Sequence, residues 1–234
     1  MKCKWTEYTV EDVISTVIDH RGKTPKKLGG DWSDTGYRAF SAKNIKTGRI
    51  VHLDSIRYVS DDMYKLWMKE EINREDILIT SEAPFGQIYF WDSDEKIVLS
   101  QRLFAIRVNE RFYSKYVYFY MTSPYFQSEL ESRATGTTVL GLRQPELLKC
   151  KILAPSYKEQ KIIADILWYL EQKIELNNRI NNNLEFHSIK TRKIKKQFRR
   201  AARSTISLYK NRNKYEICHR RKETANRSPV LLAA

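Results

Sequence analysis

Ile152-Leu153-Ala154-Pro155-Ser156-Tyr157-Lys158-Glu159-Gln160-Lys161-Ile162-Ile163-Ala164-Asp165-Ile166-Leu167 changes its hydrophobic period half-way. Before Pro155, the short apolar run that begins at Lys149 reads as a strand. Pro155-Ser156 ends it, and Ser156 with Glu159 forms a capping-box pattern ahead of a helix. From there Ile163, Leu167, Leu170, Ile174, Asn177, Asn181 and Leu184 recur at alternating spacings of four and three, a heptad seam that Ile166 and Ile180 broaden. The pattern predicts a helix from Tyr157 to Lys190, about 34 residues and roughly 50 Å long. A rod of that length outruns one small domain, so its seam is expected to pair with another helix. Asn177 and Asn181 cost stability on such a seam but fix register and orientation, although a polar pair is also what a helix entering solvent would carry.

Upstream, Thr9 followed by acids, with Val10, Val13, Ile14, Val17 and Ile18 at helical spacing, predicts a first helix ending near Gly22. Gly22-Lys-Thr-Pro-Lys-Lys-Leu-Gly-Gly30 is nearly devoid of apolar side chains and reads as an exposed loop. Runs at 76–80, 87–91 and 149–153 read as strands, and Phe104, Ile106 and Val108 alternate with Ala105 and Arg107 as in a strand with one buried face. A helix capped by Ser114 follows, broken at Ser123-Pro124, and its tyrosines are assigned to the core. Residues 134–145 form a loop in which Gln144-Pro145 opens a short helical turn. The expected fold is α+β: a mixed-sheet domain over 1–155, a coiled-coil-forming helix over 156–190, and a basic tail over 191–234.

The chain has 234 residues, 41% of them hydrophobic and 12% aromatic, enough to build a core and to exclude disorder throughout. No apolar run approaches the roughly 18 residues that a membrane span needs, and the first residues lack a secretory signal's apolar stretch, so a cytoplasmic protein is expected. Cys3, Cys150 and Cys218 have neither zinc-like nor redox spacing and are read as reduced thiols. The net charge of +14 is unevenly placed: residues 188–234 hold 15 Lys/Arg against 2 Asp/Glu, while residues 1–187 hold 27 against 26. A tail so charged and so poor in apolar residues is expected to be disordered and to attract phosphate backbones.

Several chemistries have no signature in the sequence. Neither a phosphate-binding Gly-Lys loop nor a dinucleotide fingerprint is present, and the Asn-Pro-Pro-Tyr type of motif of amino-methyltransferases is missing. Glu171-Gln172-Lys173 imitates a nuclease triplet but falls inside the heptad helix, and Cys218-His219 lacks the spacing of a zinc set. No metal, cofactor or catalytic residue is expected.

The order of signals resembles a known family. The Gly-Lys-Thr-Pro loop, the strand Asp76-Ile-Leu-Ile79 with the turn after it, the Gly136-Thr-Thr loop, the stretch Ile152–Leu167 and the Asn-rich Lys173–Leu184 are similar to the specificity subunit of type I restriction-modification systems, over about residues 8–185. The resemblance implies that 1–155 is a target recognition domain and 156–190 a spacer helix. It further implies that modification (methyltransferase) subunits supply the methyl-donor site and catalysis, with restriction subunits as further partners. Members usually carry two such pairs in one chain, with the spacer helices packed antiparallel. This chain carries one, so the resemblance implies a homodimer, or pairing with another half-length subunit, through Ile163, Leu167, Leu170, Ile174, Asn177, Asn181 and Leu184. After Leu184 the sequence departs from the family pattern, which leaves open whether the tail is an extension or the product of a truncated or frame-shifted gene.

A recognition domain of double-stranded DNA needs donors for phosphates and side chains that reach base edges. The loop candidates are Lys23, Thr24, Lys26, Lys27, Lys43, Asn44, Gln101, Arg102, Thr137, Thr138, Arg143 and Gln144. Three other readings stay open: a coiled-coil interaction scaffold that reads no DNA, an inactive truncated fragment, and a stand-alone nuclease, for which no acid cluster is found. Removing residues 191–234 is expected to leave the melting temperature unchanged while non-specific DNA affinity falls and its salt dependence flattens, because 14 cationic side chains are lost. Thermal melting and DNA titration at several salt concentrations check both parts, and unfolding of the shortened chain would contradict the first.

Overall fold

The computed structural model describes residues 5–136, 139–181, 183 and 184. The expected tail disorder, and Cys3 and Cys218, lie outside them. The chain divides after Glu171 into two units.

The first unit opens with β1 (Thr6–Thr9) and a single helical turn, α1 (Val10–Val13), which carries the capping box of Thr9 and Asp12. Here the structure corrects the sequence reading. The helix expected through Ile18 stops after Val13, and β2 (Ile14–Asp19) takes over. Ile14, Thr16, Val17 and Ile18 are β-branched and suit a pleated surface. Spacings that fit one helix face also fit a strand that buries both faces. Next come β3 (Tyr37–Phe40), the short hairpin of β4 (Ile45–Lys46) and β5 (Arg49–Ile50), β6 (Arg57–Val59) and α2 (Asp61–Trp67), which Ser60 caps.

Of the strands read from sequence, β7 (Ile77–Thr80), β8 (Ile88–Phe90) and β10 (Leu103–Val108) follow, with β9 (Ile97–Leu99), which the sequence reading did not mark, between β8 and β10. Then come α3 (Ser114–Thr122) and α4 (Pro124–Ser132), separated where Ser123-Pro124 predicts. The cap of α3 is Tyr113 rather than Ser114, whose hydroxyl instead donates to Glu75 at 2.5 Å. α5 (Gln144–Leu148), β11 (Lys151–Ala154) and α6 (157–181) complete the order.

The main sheet runs β2-β10-β7-β8, antiparallel throughout. A second sheet, β6-β3-β9, is mixed, with β3 antiparallel to β6 and parallel to β9. β10 was expected to bury one face, but Leu103, Phe104, Ala105 and Ile106 are all fully buried. Phe104 and Ile106 join Ile77 and Ile79 in a core covered by α3 and α4, while Leu103 and Ala105 join Leu78 in a core filled from β3, β9 and α2. The small Ala105 looks polar-compatible in the sequence yet meets a second layer. The tyrosine stripe lies where it was expected, with Tyr116 and Tyr118 in the first core.

The first turns of α6 are fixed to this unit by the Glu-Gln pair. Glu159 accepts from the backbone N–H and the hydroxyl of Ser156 (3.1 and 2.8 Å). Gln160 is 2% exposed, accepts from Tyr113 N–H and donates to the Pro155 carbonyl, both at 3.0 Å. Ala164 is buried and Trp168 packs edge-on against Phe90. Further along, in the second unit, Arg179 pairs with Glu175 one turn away. Among the described residues no helix is long and apolar enough to cross a membrane.

At the edge of the second core Asp76 is 1% exposed and receives two hydrogen bonds of 2.9 Å from Arg107, which also reaches Glu70 and the Glu71 carbonyl. Burial outweighs this pull and holds the Asp76 carboxyl above its usual range. Arg107→Met is therefore expected to destabilise the fold by about 3 kcal/mol at neutral pH, because a buried carboxylate loses its partner. The loss should narrow in acid, where protonation removes the stranded charge. Chemical denaturation at two pH values checks both.

Candidate nucleic-acid interface

Three loops far apart in sequence line one open groove of about 840 Å³. The first leaves β2 at Asp19 and turns at Gly22, whose φ of +90° a residue with a side chain would rarely adopt. Pro25 then opens a 3-10 turn over Lys26–Leu28. The second is the tight connection from β9 to β10 that presents Gln101 and Arg102, with Arg102 itself at a φ of +61°. The third ends at Gln144, where α5 begins. Backbone hydrogen bonds tie the second and third to the hairpin after β7: Ser81 N–H donates to the Arg102 carbonyl and Leu142 N–H to the Ser81 carbonyl, each at 2.8 Å.

Of the residues selected from sequence, Thr24, Lys27, Gln101, Arg102 and Gln144 line this groove. Gln101 and Arg102 are exposed and stand on a turn held by strands on either side. Lys27 spends one ammonium donor on the Gly22 carbonyl (2.8 Å), and Arg102 lies 3.3 Å from Glu82. The groove thus combines amide groups that match adenine edges with cations that suit guanine or phosphate. Lys26 and Arg143 are exposed beside it in sequence, and Lys43 lines a smaller neighbouring cleft that shares Gln101.

Two candidates are committed elsewhere. Asn44 is 1% exposed and its carboxamide is consumed, accepting from Ser41 and donating to the His52 carbonyl and to Ser55. It holds a turn, and no base edge reaches it. Lys23 sends its ammonium to the Trp67 carbonyl at 2.6 Å, where burial lowers its pKa. Thr137 and Thr138 lie outside the described residues. On α6, Ile163 is half-buried against the first core, whereas Leu167, Leu170, Ile174, Asn177, Asn181 and Leu184 are exposed.

Sequence reasoning missed Arg21, Asp19 and Glu82. Arg21 pairs with Asp19 (2.6 Å), donates to the Leu142 carbonyl (3.2 Å) and lies 4.8 Å over Phe104, so it is a strut between the first and third loops. The acids matter as much, because Asp19 and Glu82 offset two of the three cations lining the groove, Arg21, Lys27 and Arg102. Arg21 immediately before the Gly22 turn, with Asp19 two residues earlier, was the one available signal.

The family model described as the type I restriction modification DNA specificity domain matches residues 2–186. The chain belongs to this family. Two curated relatives come from Methanocaldococcus jannaschii. The MjaVIII type I specificity subunit is 25% identical over 161 residues, 66% of this chain and 38% of the relative, and the putative MjaX specificity subunit is 27% identical over 114 residues, 49% and 26%. Among solved structures, the type I restriction-modification S subunit from M. genitalium matches with a TM-score of 0.53 at 19% identity, covering 74% of this chain and 41% of that one. The HsdS subunit from Thermoanaerobacter tengcongensis matches with a TM-score of 0.53 at 17% identity, covering 75% and 39%. These likenesses bear out the α+β architecture with its long C-terminal helix. The chain spans about two-fifths or less of the length of these specificity subunits.

The two kinds of candidate separate in a stability experiment. Asn44→Ala is expected to cost about 1–3 kcal/mol, since buried carbonyls lose their donor, whereas Gln101→Ala and Lys26→Ala should stay within about 0.5 kcal/mol of the parent chain. Urea denaturation of the three variants measures the difference.

Proposed function

We propose that the chain is a sequence-specific DNA-recognition subunit, or one half of one, that directs methylation and restriction by partner subunits and catalyses neither. The carrying observation is the convergence of Thr24, Lys27, Gln101, Arg102 and Gln144 on one groove from three distant segments. Structural economy alone does not require amides and cations to meet there, and double-stranded DNA offers the matching acceptors and donors. In this reading 1–155 recognises DNA and 156–190 is the spacer. Lys26, Lys43 and Arg143 supply further contacts, and Lys23 and Asn44 act by holding the loops. Modification subunits contribute methyl donor and catalysis, with restriction subunits joining the same assembly.

The exposed apolar residues of α6 support a helical partner. Leu170, Ile174 and Leu184 are at least half exposed in the isolated chain, and burial of such side chains is worth about 1.5–3 kcal/mol each. A second copy, or a half-length relative, packed antiparallel would cover them and set two recognition domains on an inverted repeat.

Sequencing the methylated sites in cells that express this chain with a modification subunit is expected to show an inverted repeat with an unread gap. Gln101→Ala with Arg102→Ala should relax the preference at one or two positions by about 1–3 kcal/mol each, roughly 5- to 150-fold in relative binding. Methylation that needs the chain but shows no sequence preference would favour a scaffold instead, and a monomer in sedimentation with the modification subunit would remove the pairing.

A further inference from the structure

We infer that the cleft formed by Trp32, Ser41, Lys43, Arg57, Ser100 and Gln101 is a seat for the sugar-phosphate backbone of the same duplex whose bases face the groove. The inference rests on the DNA reading proposed above and adds a second contact region to it. The cleft encloses about 240 Å³ and no carboxylate lines it. Its two cations are exposed, and among the described residues neither Lys43 nor Arg57 has an ion-pair partner. That sets them apart from Arg21, Arg38, Arg102 and Arg107, each held by an acid. Arg57 is instead propped 5.1 Å over the Trp32 ring, which restricts the guanidinium without neutralising it. Two unneutralised cations facing one polar cleft form an anion seat.

The geometry points to DNA phosphate because the cleft and the groove are mechanically one surface. Gln101 lines both. Its carbonyl accepts from Ala42 N–H at 3.1 Å, so the turn that bears Lys43 is bonded to the turn that bears Gln101. Ser100 N–H donates to the Phe40 carbonyl at 2.7 Å, and Arg57 on β6 lies opposite Ala39 on β3. Lys43, Arg57 and Gln101 are thus carried by the β6-β3-β9 sheet in fixed relation. Half to two-thirds of protein–DNA hydrogen bonds go to the backbone, and Asp19 and Glu82 offset two of the groove's three cations, which leaves it little unneutralised charge for phosphate. The cleft beside it adds two such cations. Gln101 then stands on the boundary, with base edges on one side and phosphates on the other.

The test compares the full chain with Lys43→Ala/Arg57→Ala, Arg57→Lys and Gln101→Ala, by fluorescence anisotropy on the methylation target duplex and on random-sequence duplex over a range of KCl. The double variant should lose affinity for both duplexes alike, roughly tenfold or more at about 0.1 M salt, and its log–log salt slope should flatten by about 1.8, two phosphate contacts' worth. Arg57→Lys keeps the charge and should keep the slope, and Gln101→Ala should lose target preference with little change in slope. If the double variant melts early, Lys43→Ala alone should flatten the slope by about 0.9. An unchanged slope in the double variant, or a loss confined to the target duplex, overturns the inference while a binding wild type preserves the DNA reading. A wild type that binds neither duplex overturns both.

Discussion

The two-sided burial of β10 is the constraint from which the rest of the domain follows. A strand whose residues alternate between two cores needs a layer on each side. The sequence meets this with aromatic-rich helices behind Phe104 and Ile106, and a second sheet in front of Leu103 and Ala105. Its register with β7 sets Phe104 against Ile79 and Ala105 against Leu78, so the side chains of each core arrive as matched rows. A slip of one residue would send every one of them to the wrong layer. The candidate site inherits this precision, because Gln101 and Arg102 stand immediately before the strand and Asp19 ends its neighbour, paired with Phe104. The groove is the rim of the most strongly specified part of the sheet.

The same logic separates the two sides of α6 within the first unit. Gln160, Ala164 and Trp168 recur every four residues and turn toward the core. Ile162, Ile166 and Tyr169, apolar yet more than half exposed, face elsewhere. A helix apolar on one side only would need nothing beyond the domain. One that is apolar on a second side either pairs or carries a solubility cost. Gln160 fixes the helix start by a polar side chain satisfied at both ends, so anchoring this end does not draw on the exposed Ile162 and Ile166.

Legibility in the sequence tracked the range of the interactions concerned. The caps of α1 and α6, the Ser123-Pro124 break and the strands β7, β8 and β10 are decided by neighbours within a few residues, and they could be read. The strand β2 could not, because Val13, Ile14, Val17 and Ile18 satisfy a helical period and only pairing with β10 selects extended backbone. The second buried face of β10 was hidden for a similar reason, since Ala105 declares its environment only once Leu78 and Leu103 are beside it. In the site, exposed loop residues such as Gln101 and Lys27 were recognisable by type. The fate of Asn44 depended on Ser41, His52 and Ser55 closing around it, and Arg57 gave no sign until the fold set it over Trp32.

The near-neutral charge of residues 1–187 acquires a physical meaning from the way it is distributed. Arg21, Arg38, Arg74, Arg102, Arg107 and Arg133, six of the domain's ten arginines, each sit with a carboxylate, so most of its arginines present no bare charge to a polyanion. On the DNA-reading view this lowers binding to arbitrary sequence, which is the competitor that a recognition protein must outlast. On the same view it would sharpen discrimination at Arg102, whose guanidinium would leave Glu82, 3.3 Å away, for a base only if that base returned comparable hydrogen bonds, a mismatched edge leaving the internal pair as the better alternative. Affinity then has to come from the cations that the fold leaves unpaired and from partner subunits, while selectivity comes from those it has already paired.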